Sequence, residues 1–167
     1  MKSPFALCPA CGATELSFLD AKELRCRRCH FHYFHNVAAA VGVLLLHEDR
    51  VLFAVRSADP GRGLLDLPGG FVEPGESLEQ GLQREVREEL GIALPALRYL
   101  GSCANEYLFD GVLYHTSDAF FTARLTERPA LAPADDIAHA HWLRPDQIAP
   151  ADIAFRSVRE SIAMLQR

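Results

Sequence analysis

Residues 70–92 constrain this chain more than any other stretch. Leu78, Leu82, Val86 and Leu90 recur every four positions, a spacing that predicts a helix with one buried apolar stripe. Ser77, followed three residues later by Gln80, predicts an N-cap closed as a capping box. Gly91 stands where a left-handed residue ends such a helix. The same helix carries Glu85, Glu88 and Glu89 at i, i+3 and i+4, so three carboxylates share one side. Like charges so crowded repel unless they are balanced. Arg84 and Arg87 provide one balance, as a solvated charged surface; a shared cation provides another. Hard oxygen donors in this number suit Mg²⁺ or Mn²⁺, ions that keep several waters and bind substrate phosphates. The glycines at 69, 70 and 75 and Glu76 ahead of the helix favour the cation.

Around this helix the chain reads as strands. Residues 37–46 form an almost continuous apolar run and predict a buried strand. Residues 51–56 predict a second, joined to it as a hairpin through the polar turn 47–50. Pro60, Gly61 and Gly63 make 57–63 a loop, and 64–67 is a short strand stopped by Pro68-Gly69-Gly70. Residues 98–105 and 112–125 predict strands turning at Asp110-Gly111. A Pro- and Ala-rich loop covers 126–136, a last strand 138–143, and an amphipathic helix 153–166. Strands and helices interleaved in this way predict an α/β fold with a mixed sheet flanked by helices. At 167 residues the chain accommodates about one domain of 150 residues. The expected division is a small segment at 1–36 and a main domain at 37–167.

Of the chain's five cysteines, four lie in that small segment and fall into two pairs, Cys8-x-x-Cys11 and Cys26-x-x-Cys29. Two such knuckles supply four thiolates to one tetrahedral ion, which predicts a structural Zn²⁺ site, a zinc ribbon. The alternative is a pair of disulfides. His30, His32 and His35 stand nearby, but four cysteines already complete the set. A segment this short has no core of its own, and zinc binding supplies about 10–16 kcal/mol in comparable peptides. Cys103, the unpaired cysteine, lies in an apolar strand pattern and reads as a small core residue.

The constrained positions of residues 70–92 also resemble the Nudix hydrolase signature. Gly70, Glu76, Arg84, Glu85, Val86, Glu88, Glu89, Gly91 and Ile92 fill all of its fixed positions. The resemblance implies a Nudix α/β/α sandwich with a mixed sheet, here behind an N-terminal zinc ribbon. It implies hydrolysis of a phosphoanhydride in a nucleoside diphosphate linked to another group. Glu85, Glu88 and Glu89, with the carbonyl of Gly70, would bind Mg²⁺ or Mn²⁺. Arg84 joins the three glutamates in the catalytic set, although in the family it and Glu76 brace the loop more often than they do chemistry. General-base candidates are Glu89, Asp135 and Asp136. A ribbon ahead of such a domain is similar to the zinc-containing NADH pyrophosphatases. Those enzymes carry Ser-Gln-Pro-Trp-Pro-Phe-Pro after the signature, whereas residues 101–109 here read Gly-Ser-Cys-Ala-Asn-Glu-Tyr-Leu-Phe.

The resemblance implies a substrate of ADP-ribose or dinucleotide type. Arg56 is a candidate for a substrate phosphate, and Tyr107, Phe109 and Tyr114 for stacking on a base. Trp142 reads as core packing. A nucleotide derivative is the expected partner, with a second copy in a homodimer left open. A formal charge of −5 argues against non-specific nucleic-acid or membrane binding. The ribbon arginines Arg25, Arg27 and Arg28 are the one feature pointing toward nucleic acid. No apolar run is long enough to span a bilayer and no leader is evident. The paired cysteines suggest a metal site in a reducing compartment, so the expected location is the cytoplasm. An alternative of another class is a catalytically weak module that senses a nucleotide, or binds protein or nucleic acid through its ribbon.

Overall fold

The computed structural model describes residues 5–20, 22–134 and 137–165. Two units emerge, Met1–Val37 and Ala38–Arg167. In the first, β1 (Leu16–Leu19), β2 (Glu23–Cys26) and β3 (His32–Phe34) form an antiparallel sheet in the order β1-β2-β3. Strands this short leave little periodicity to read, and none was expected from the sequence. The apolar interior is correspondingly small: Cys8, Ala13 and Cys26 are buried, with Leu16 and Phe31 packed against them.

The second unit holds β4 (Ala38–His47), β5 (Arg50–Arg56), β6 (Leu65–Asp66), β7 (Gly69–Phe71), α1 (Leu78–Leu90), β8 (Arg98–Phe109), β9 (Val112–Arg124), β10 (Ile137–Leu143) and α2 (Arg156–Leu165). Its sheet runs β10-β5-β4-β9-β8, with β6 added to β5 and β7 to β4. β4 and β9 are parallel over Ala38↔Thr116 to Leu46↔Arg124, and the other pairings are antiparallel, so the sheet is mixed.

The expected hairpin between β4 and β5 is reduced to Leu46↔Val51 and His47↔Arg50. Beyond that point the two strands part, and β6 and β7 pair along them instead. β6 ends before Pro68, as expected, but Gly69 and Gly70 go beyond stopping it: they open a further strand, β7. Gly69 adopts φ 141°, and a Cβ there would run into the carbonyl of Val41. Glycine thus lets β7 lie directly against β4.

α1 ends as its sequence predicts. Ser77 Oγ accepts from the Gln80 amide at 3.2 Å, while Gln80 Oε1 accepts from the Ser77 amide at 2.8 Å. Gly91 closes the helix at φ 71°, ψ 16°. Leu82, Val86 and Leu90 are fully buried against Val43, Leu45 and Phe121 on one face of the sheet. Burial of each such side chain contributes about 1.5–3 kcal/mol. On the opposite face, Val158 and Ile162 of α2 pack with Leu44, Phe53, Cys103 and Phe120. A helix on each face makes this an α/β/α sandwich. Trp142 packs at the margin of the α1-side core, with the Arg128 guanidinium 5.6 Å from its ring centre.

α2 starts later than its amphipathic pattern suggests. Pro150–Asp152 forms a 3₁₀ turn, and Ile153 then bridges to Leu65 before the helix begins at Arg156. Among the described residues, no helix is long and apolar enough to cross a membrane.

Candidate active site and cysteine cluster

The parting of β4 and β5 opens a cavity of about 260 Å³ in the second unit. α1 contributes Glu85 and Glu89 to its wall, and β7 contributes Gly69 and Gly70. Glu89 is 6% exposed, and its Oε2 accepts from the Gly69 amide at 2.9 Å. A Cβ on Gly70 would lie 2.7 Å from the carboxyl carbon of Glu85, so the backbone and this carboxylate are in close approach.

Glu88 is placed differently. Its side chain is 52% exposed, accepts from Arg84 Nη1 at 3.2 Å, and lies outside the cavity wall. Helix geometry accounts for this: Glu85 and Glu89 are about 40° apart around the axis, whereas Glu88 is about 100° from Glu89. The three carboxylates share a side of the helix without meeting at one point. Among the described residues, only the cysteine cluster forms a group of three or more potential metal donors within 4.8 Å of one another.

Arg84 is wholly engaged within the chain. Its Nε and Nη2 donate to Glu76 at 2.8 and 3.0 Å, and Nη2 also reaches the Phe71 carbonyl at 2.9 Å. Nη1 donates to Glu85 at 2.9 Å. Glu76 in turn accepts from the Glu73 amide at 2.9 Å. The Arg84 guanidinium holds the Glu76 carboxyl below the usual range, and the glutamates raise Arg84 in return. Arg84 therefore ties the loop before α1 to the face that carries Glu85.

A second cluster stands on Arg56. Its Nη1 donates to Asp66 at 2.8 Å, Nε to the Pro60 carbonyl at 2.6 Å, and Nη2 to the Tyr107 hydroxyl at 3.4 Å. The guanidinium lies 5.0 Å from the ring centre of Phe155 and 5.9 Å from that of Tyr107. Burial works against the Arg56 charge, but Asp66 outweighs it and its pKa is raised. Burial likewise pushes the Asp66 carboxyl up, opposed by Arg56.

Of the aromatic candidates, Tyr107 lines the cavity and packs edge-on to Phe71 at 5.5 Å. Phe109 stacks on Tyr107 at 6.2 Å but is 55% exposed and outside the cavity wall. Tyr114 pairs with Tyr107 across β8 and β9 and is also outside it. Asp135 and Asp136 lie outside the described residues.

The cavity also draws in residues that the sequence did not single out: Asp66, Thr116, Asp118, Phe155 and Ser157. The available signals were weak. Asp66 and Asp118 are lone charges interrupting apolar strand patterns, and Phe155 and Ser157 precede or open a helix that begins later than its amphipathic pattern suggests. The donor set suits a hard divalent cation: Glu85 and Glu89 border the cavity beside the glycine backbone, where a Cβ would crowd the carboxylate.

In the first unit the four cysteine sulfurs lie within 4.8 Å of one another. Cys8 and Cys29 are 3.6 Å apart and Cys11 and Cys26 3.7 Å, with no disulfide among them. Four thiolates around one Zn²⁺ with 2.3 Å bonds stand about 3.8 Å apart, so the cluster matches a tetrahedral site. The backbone amide of Cys29, above all, draws the Cys26 thiol down to about 7, against its burial. His32 is turned away to Glu23, 2.7 Å distant.

A model of the NUDIX domain matches residues 36–163. The NAD-capped RNA hydrolase NudC of Pseudomonas aeruginosa (strain LESB58) is 32% identical over 143 residues, covering 86% of this chain and 49% of that protein. The protein of the same name from Escherichia coli O1:K1 / APEC is 29% identical over 161 residues, covering 94% and 60%. The chain spans about half the length of the curated relatives it matches. Among solved structures, a NUDIX hydrolase from Nitrosomonas europaea superposes with a TM-score of 0.70 at 26% identity, covering 96% of this chain and 91% of that one.

Proposed function

Because this chain belongs to the NUDIX hydrolase family, we propose that it hydrolyses the pyrophosphate linkage of an ADP-ribose- or dinucleotide-type substrate. The observation that carries this reading is the convergence of Glu85, Glu89, Gly69, Gly70 and Arg56 on one cavity. In the reaction a water oxygen attacks one phosphorus, the bridging P–O bond breaks, and two phosphorylated fragments leave. Glu85 and Glu89 on the cavity wall would hold a divalent cation, and Glu88, outside that wall, would join them only by releasing Arg84. Mg²⁺ or Mn²⁺ bound there would neutralise charge on the pyrophosphate and acidify a water. Glu89 is the candidate to take the water's proton within the described residues, while Gly69 orients its carboxylate. Arg84 and Glu76 keep the loop and α1 in register, and Arg56 offers positive charge to a phosphate. Cys8, Cys11, Cys26 and Cys29 would hold a structural Zn²⁺. The likeness to proteins named NAD-capped RNA hydrolases supports a substrate with an NAD-type pyrophosphate.

The test is Mg²⁺-dependent release of mononucleotide from NADH, ADP-ribose and dinucleoside polyphosphates. Glu85→Gln and Glu89→Gln should each lower kcat by at least about a hundredfold, as loss of a metal-orienting group does. Full activity in both variants would remove the catalytic reading. Binding without turnover in the unaltered chain would favour the sensing module.

A further inference from the structure

The cavity wall carries polar residues besides the glutamates, Asp118 and Ser157 among them. Cross-strand pairs face the same way, so Cys103↔Asp118, Asn105↔Thr116 and Tyr107↔Tyr114 put Asp118 on the α2 face of the sheet. α1 packs against the other face. Asp118 is 8% exposed, accepts from Thr116 Oγ1 at 2.5 Å, and forms no ion pair among the described residues. A carboxylate offers about four acceptor positions, and one hydroxyl fills only one of them. Ser157, in the first turn of α2, is 1% exposed, and its Oγ finds no partner among the described residues. Both residues line the cavity. Buried polar atoms with unused capacity are costly unless something completes them, and the same cavity holds them both.

We propose that Asp118 and Ser157 form a base-recognition subsite, which takes a planar ring whose edge carries an amino donor beside an acceptor. The amino group donates to the Asp118 carboxylate, and the neighbouring ring nitrogen or carbonyl accepts from the Ser157 hydroxyl. Phe120 and Phe155, also on the cavity wall, supply apolar surface for the ring. An adenine edge and a nicotinamide carboxamide share this chemistry. A hypoxanthine edge reverses it, and a ribose phosphate without a base lacks it. The subsite rests on the reading of the cavity as a nucleotide hydrolase site, because it selects what Glu85 and Glu89 are given to cleave.

Calorimetric titration of the full chain tests this without turnover. The ligands are adenosine 5′-monophosphate, nicotinamide mononucleotide, inosine 5′-monophosphate and ribose 5-phosphate. One of the first two should bind about ten- to a hundredfold more tightly than the last two, the range for hydrogen bonds to a charged group. Whichever wins identifies the ring. Asp118→Asn, which can donate where the carboxylate cannot, should weaken the winner and shift preference toward the inosine nucleotide. Ser157→Ala should weaken the winner and leave ribose 5-phosphate unchanged; thermal melting establishes that each variant is folded. Equal binding of ribose 5-phosphate, a preference for inosine 5′-monophosphate in the unaltered chain, or no binding of any of the four overturns the proposal. Should Asp118→Asn fail to fold, the ligand comparison and Ser157→Ala decide alone. Selective binding alongside undiminished hydrolysis by Glu85→Gln would leave the subsite standing and remove the catalytic assignment.

Discussion

Substituting Gly70 by alanine should disable the site while leaving the fold almost untouched. The new methyl carbon would stand 2.7 Å from the Glu85 carboxyl carbon and Oε1 and 2.8 Å from Oε2. A displacement of about 0.7 Å restores an ordinary 3.4 Å contact, and the displaced group is the end of a side chain rather than backbone. Misplacement of a catalytic group by about 1 Å costs on the order of a hundredfold, or about 2.7 kcal/mol of transition-state stabilisation. Stability should change by less than about 1 kcal/mol, because alanine in place of glycine also restricts the unfolded chain. Gly69→Ala is the contrasting variant. Its Cβ meets the Val41 carbonyl and its φ of 141° is unsuited to alanine, so it should lower the melting temperature sharply. Steady-state kinetics under saturating Mg²⁺, paired with melting curves, separate the two. If Gly70→Ala melted normally and kept its kcat within about threefold, the dependence on Glu85 placement argued from P–O chemistry would be refuted.

Other outcomes can be stated more briefly. Elemental analysis should find about one zinc per chain, and Cys29→Ser should lose it together with the amide protection of β1 to β3. Retained zinc in that variant would contradict the four-sulfur site. Leu82→Ala, at a fully buried position, should cost about 2–5 kcal/mol in urea unfolding; a loss under 1 kcal/mol would mean that the α1 face is not packed as described. Glu76 has its pKa depressed by Arg84, so its contribution is fully present above the ordinary glutamate value of about 4.3 and is lost as pH falls through the depressed one. Arg84→Met should therefore flatten the fall of the urea midpoint below about pH 4.3, and an unchanged slope there would show that this pair does not couple folding to protons.

What could be read from the sequence was local. Ser77, Gln80 and Gly91 specify both ends of α1 through contacts within a few residues, and those contacts form as expected. The two cysteine pairs likewise bring four sulfurs together. Residue types that suggest one local structure can serve another when a distant strand claims them, as Gly69 and Gly70 do in pairing with β4. Glu88 shows the limit of spacing: three positions share a helix side, yet an angular offset and Arg84 keep one of them out of the cavity. Asp118 and Ser157 carry only weak sequence signals, a lone charge in an apolar strand and a serine at a helix start. They become a pair only because β9 and α2 are brought to one cavity by the sheet and the core beneath it.

The parallel pairing of β4 with β9 has a kinetic consequence. It joins residues 78 positions apart, Ala38 with Thr116, while α1 and its loop lie wholly between them. Closing so long a loop is entropically unfavourable and is recovered only once many contacts form together. The capped helix can nucleate early from its own signals, but Asp118 reaches the cavity only when β9 pairs with β4. A chain stalled before that step would present its glutamates without a base subsite beside them. Refolding followed by nucleotide binding should therefore lag behind refolding followed by helix signal.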